Sequence, residues 1–167
     1  MRGCSSLGTV LTIFTLFLSP GCGSDQGSPT AAIPILPVDA LMMAPQTVTL
    51  GDQQYVLETY LWRDFMPISP PDGKPLTALV EVIEKNGSAI APDLEMKYLW
   101  VINGREVWST KFTDETPSSP EDELHRIARN GPLWGPGIEV EVIVALTRGD
   151  GPVSLLRASD QSIFRTD

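Results

Sequence analysis

The chain has 167 residues, room for one ordinary domain rather than two, and its 12 Lys plus Arg against 21 Asp plus Glu give a formal net charge of −9. An acidic chain without a basic run repels nucleic-acid phosphates, which excludes nucleic acid as a partner. At 42% hydrophobic and 20% charged residues the chain can bury a core, which excludes global disorder.

Arg2 is followed by an uncharged apolar run at 7–18 (LGTVLTIFTLFL). Twelve residues are too few to span a bilayer as a permanent helix and fit the core of a secretory signal peptide. Leu18, Ser19, Pro20, Gly21 and Cys22 come next, and this stretch resembles the lipobox of bacterial lipoproteins. It departs from that pattern in placing Ser19, where the family usually has Leu, three residues before the cysteine. The resemblance implies a signal peptide over 1–21, lipidation (palmitate) at Cys22, and a chain held to the membrane of the cell envelope by its N-terminal lipid. Gly23, rather than Asp, follows the cysteine, and in a Gram-negative source that implies the outer rather than the inner membrane. Cys4 would leave with the signal and Cys22 would carry the lipid, so no disulfide is expected in the mature chain.

Residues 22–46 hold Pro29, Pro34, Pro37 and Pro45 and no Lys or Arg, which reads as a tether. Fully extended, such a segment reaches roughly 80 Å; as a flexible coil it averages about 27 Å. Its stretch 31–43 (AAIPILPVDALMM) is too apolar for a plain spacer and is expected to dock as an irregular edge strand, where proline is tolerated; a partner-binding segment is the second reading.

The domain, 47–167, is dominated by strand signals. Residues 54–62 (QYVLETYLW) are rich in aromatic and β-branched types, and 76–83 put Ala78, Val80 and Val82 on one face. Met96, Tyr98, Trp100 and Ile102 alternate with Lys97, Leu99 and Val101 up to Asn103-Gly104, and an extended pattern resumes over 105–112. An Asn-Gly pair between two such runs predicts a hairpin with a type I′ turn. Next, 119–129 reads as a helix spanning about 120–129: Ser119 at the cap, Pro120 in the first turn, three acids after it, an apolar face of Leu124, Ile127 and Ala128, and Asn130-Gly131-Pro132 at its end. Ile138, Val140, Val142, Val144 and Leu146 then alternate along a strand, and 153–157 and 162–165 read as two closing strands. About seven short strands with one inserted helix predict a mostly β, antiparallel immunoglobulin-like sandwich, with a transthyretin-like sandwich as the alternative.

Chemistry is sparse. His125 is the single histidine, and Glu121 with His125 at i, i+4 lacks the third and fourth ligands a metal site needs, so no metal and no cofactor are expected. No nucleophile stands at a motif spacing. A carboxylate pair for glycoside hydrolysis cannot be argued from the number of acids. The chain reads as a non-enzyme.

Two loops stand out. Residues 63–75 (RDFMPISPPDGKP) join two strands with four prolines, and 131–137 (GPLWGPG) set Trp134 among glycines and prolines. Proline-stiffened loops of that length in a compact domain are often functional. Arg63 and Asp64 are expected to form a local ion pair that pins the first loop. Trp134, Trp62, Arg63, Asp64 and Phe65 are the candidate binding residues, and at least two of Trp62, Trp100 and Trp108 are expected in the core. The first functional reading is an envelope lipoprotein whose domain is a protein-interaction or structural module, its partner another envelope protein; the alternative is a small-ligand or glycan-binding lipoprotein that uses the loop tryptophans.

Overall fold

The computed structural model describes residues 32–112 and 124–167. The signal peptide, the lipobox with Cys22, and residues 119–123 of the expected helix lie outside them. The described chain is mostly β. After a short helix α1 (Val38–Met42) come β1 (Val48–Leu50), β2 (Gln53–Asp64), β3 (Thr77–Glu84), β4 (Leu94–Asn103), β5 (Glu106–Lys111), β6 (Leu124–Ala128), β7 (Glu139–Arg148) and β8 (Ser154–Thr166).

The strands form one mixed sheet in the order β5-β4-β7-β8-β2-β3-β6, with β1 on β2. All pairings are antiparallel except β2 with β8, where Leu61 to Asp64 run parallel to Ile163 to Thr166. This corrects the expectation of a purely antiparallel arrangement. The long β8 makes it possible. Ser154 to Ser162 pair with β7 and Ile163 to Thr166 with β2, and within the β7 pairing Ser159 and Asp160 stand opposite the single residue Glu141. Asp160 takes φ 56 at this bulge, and its N–H donates to Glu141. A bulge bends the strand and increases its twist, so β8 serves both halves of a curled sheet. The two closing strands expected from the sequence are therefore one strand with a kink.

One core fills the curl. Tyr55, Leu57, Leu61, Ala78, Val80 and Val82 from one half meet Leu99, Val101, Val142, Val144, Leu146 and Leu156 from the other. In β4 the register shifts between Met96 and Tyr98. The strand therefore changes face at Lys97: Leu94 and Met96 point into this core, while Tyr98, Trp100 and Ile102 point out. The even alternation read from the sequence breaks there.

Those outward residues are buried too. With Ile143 and Ala145 they form a second cluster closed by Leu41 and Ala44, against which Ile33, Leu36 and Val38 also pack. The apolar stretch of the tether thus docks on the sheet, but as a strap with one helical turn and not as an edge strand. Two prolines at 34 and 37 deprive it of donors for a ladder, and Pro37 suits the start of a helix. Its far end is held by Arg157, whose Nε donates to the Ala44 carbonyl at 3.2 Å and whose N–H donates to the Pro45 carbonyl at 2.9 Å.

The helix expected over 120–129 is corrected for its described part, because residues 124–128 are strand β6, paired antiparallel with β3. Leu124 and Ala128 are buried, and His125 and Ile127 face outward across from Glu81 and Leu79. A spacing of four residues fits one face of a helix and equally one face of a strand, and the open edge of β3 decides in favour of the strand. At the hairpin, Asn103 pairs with Glu106, so Gly104 and Arg105 are the turn residues. Only Gly104 (φ 60) has positive φ. This is the pattern of a type II′ turn, one residue later than the expected type I′.

Candidate functional site

At the end of β2 the candidate residues come together around one side chain. Arg63 lies on the inward face of the strand and is 4% exposed. Its guanidinium donates Nε to the Lys74 carbonyl at 3.0 Å, and Nη1 to the Leu133 and Gly135 carbonyls at 3.1 and 2.8 Å. Nη2 donates to the Asp72 carbonyl. Among the described residues no carboxylate pairs with it. The planar fork of five donors, which lysine lacks, is what lets one side chain reach four backbone acceptors on two loops.

The loops are also joined directly. The Gly131 N–H donates to the Leu76 carbonyl at 3.0 Å, and the Leu76 N–H returns a bond to the Pro132 carbonyl. Gly131 has to be small here, since a Cβ would come within 2.9 Å of both Leu76 and the Trp108 ring. Loops 63–75 and 131–137 therefore form one end surface.

The expected Arg63–Asp64 ion pair is absent, a further correction. Neighbours in a strand point to opposite faces, so Arg63 goes inward while Asp64 reaches Lys74, whose Nζ stands 2.6 Å from Oδ2. Asp64 also accepts the Met66 N–H at 2.9 Å. The Lys74 hydrogen bond, with that of Met66 behind it, holds the Asp64 carboxyl below the ordinary carboxylate range.

Phe65 is half-buried, with the Arg63 guanidinium 5.0 Å from its ring centroid and that of Arg165 4.2 Å away. Both distances suit cation–π contact. The ring lies against Gly73, where φ +73 and a Cβ 2.6 Å from the ring would together forbid another residue. Trp134 is half-buried and packs against the main core, as does Trp108, while Trp100 is buried in the second cluster. What the two loops display instead is aliphatic: Ile68 is 87% exposed, Leu133 55% and Met66 47%. Sequence reading missed these three, because an exposed aliphatic residue in a loop carries no pattern that marks it.

Trp62 lies on the outward face of β2, apart from Trp134. Its ring centroid is 5.3 Å from that of Tyr60, which stacks on Phe164 at 5.2 Å and 16°. Each ring gives one face to its neighbour, yet Tyr60 and Phe164 remain among the exposed large apolar residues of the domain.

Among the described residues, no group of three or more His, Cys, Asp or Glu side chains is placed to hold a metal. None of the described helices is long and apolar enough to cross a membrane. No family model matches the chain, and neither curated proteins nor solved structures show a significant match to it.

Proposed function

We propose that this chain is a lipoprotein of the bacterial envelope, lipidated at Cys22, whose β domain is a non-enzymatic module that binds another envelope protein through loops 63–75 and 131–137. The carrying observation is the buried Arg63, whose four bonds to loop carbonyls fix both loops as a single surface bearing Met66, Ile68 and Leu133. Loops ordered before binding lose less entropy when they bind, and exposed aliphatic side chains on such a surface are what a protein partner desolvates. A core enclosed between the two halves of the sheet supports an immunoglobulin-like sandwich as the carrier. The membrane anchor rests on the lipobox resemblance, and an outer-membrane position on Gly23 after the cysteine. The glycan reading is second, since Trp134, the loop tryptophan it relies on, packs against the core.

Two experiments test this. Cys22→Ala is expected to abolish palmitate labelling and release the chain from membranes; labelling that persists refutes the anchor. Extracted from its native membranes in mild detergent, the chain is expected to migrate as a complex, and Ile68→Asp with Leu133→Asp to reduce it to monomer with an unchanged melting temperature. A wild-type chain that migrates as monomer refutes the module reading.

A further inference from the structure

The two outward faces of the sheet differ. Over β4 and β7 the aromatic and aliphatic residues are closed off by the chain's own strap. Over β8, β2, β3 and β6 an equivalent face has no such cover among the described residues. There, Phe164 stands beside Trp62, and Tyr60 beside Leu79, which stands beside Ile127. Tyr60 is 44% exposed and Phe164 47%. Contiguous apolar surface of this kind on a soluble domain marks an interaction site.

Charge decides what fits. One step along the strands from Tyr60 and Leu79, Glu58 on β2 stands directly opposite Glu81 on β3. Like charges directly opposite in a sheet are destabilising, and among the described residues neither carboxylate has an ion-pair partner within 4 Å. Glu58, Glu81, Thr59, Tyr60 and Leu79 line a depression of about 110 Å³. A compact ammonium on an alkyl stem suits it: the charge sits between two carboxylates, and the methylenes lie on Leu79. Beyond Trp62 on the same face of β2, Asp64 pairs with Lys74 of loop 63–75.

We propose that the outward face of β8, β2 and β3 docks a lysine-bearing apolar segment of a partner protein, the lysine seated between Glu58 and Glu81 and the apolar side chains on Tyr60, Trp62 and Phe164. The proposal rests on the interaction-module reading and names the chemistry of its partner.

The test is zero-length carbodiimide coupling in native membranes, which joins a carboxylate to an amine only when the two are in contact, followed by mass spectrometry. The expected result is an isopeptide from Glu58 or Glu81 to a lysine of one other protein, in a segment with apolar neighbours. Glu58→Gln with Glu81→Gln is expected to remove it and to weaken the native complex about tenfold, with melting temperature unchanged or raised. Absence of an isopeptide at both carboxylates overturns the proposal, as does coupling to a second copy of this chain. If Ile68→Asp with Leu133→Asp dissolves a complex that gives no such isopeptide, the loop surface stands and this face falls. If the wild-type chain is monomeric, both fall.

Discussion

Replacing Arg63 with Met keeps an unbranched apolar stem but removes every donor. Each hydrogen bond from a charged donor contributes about 1.5–3 kcal/mol. The four at Arg63 do not add, because burying the guanidinium costs several kcal/mol. Loss of the side chain strands four carbonyls, some of which water can reach once the loops part. The net destabilisation worked from these opposing effects is about 3–5 kcal/mol, at the upper end for a single substitution. For a domain of this size that is a fall in melting temperature of about 10–15 °C. Arg63→Lys should fall between, since one ammonium with three donors cannot span both loops. Urea unfolding monitored by tryptophan fluorescence measures the change directly. Hydrogen exchange should show residues 66–75 and 131–137 accelerating together in the Met variant. A loss below about 1 kcal/mol, or acceleration in one loop alone, would refute the coupling of the two loops through this side chain.

Other consequences are equally open to measurement. Glu84 is buried and accepts the N–H groups of Asn86 and Ser88 at 2.8 and 2.9 Å, and these bonds, that of Ser88 first, hold its carboxyl below the ordinary range against the opposing effect of burial. Like Asp64, it stabilises the fold above the unfolded carboxylate value of about 4, and that contribution is lost as pH falls through its lowered folded value. Glu84→Gln should therefore lower stability at neutral pH and flatten the acid limb of a stability–pH profile; an unchanged acid limb contradicts the assignment. Leu41→Ala should cost about 2–4 kcal/mol and shift Trp100 emission to the red as the strap loosens, whereas unaltered emission would mean the strap does not cover that ring. Gly131→Ala should cost about 1–3 kcal/mol by forcing Leu76 and Trp108 apart, as read from thermal melts.

How far the sequence reveals this fold depends on what each segment must satisfy. Strands β2, β3, β4 and β7 are legible because their apolar residues serve a core on one face, and period two follows from that. Where a strand carries a bulge, at Lys97 in β4 and at Ser159-Asp160 in β8, the period slips and the pattern misleads: the first reverses which residues face the core, and the second makes one strand look like two. β6 misleads for another reason. Its two buried residues are four apart, a spacing both structures share, and its true form is set by an edge of β3 that lies more than forty residues away in the chain. The site is half legible. The loops and Arg63 stand out by composition, but that Arg63 turns inward and leaves Asp64 to Lys74 follows from the parity of β2, which local sequence does not fix.

The most direct test of the interaction surface is photo-crosslinking in living cells, with a photoreactive residue placed in turn at Ile68, at Leu133, and at Val153 in the turn between β7 and β8. The account predicts that Ile68 and Leu133, on loops joined through Arg63, yield the same single protein adduct, and that Val153 does not. Different adducts from the two loops, or none from either, would contradict it.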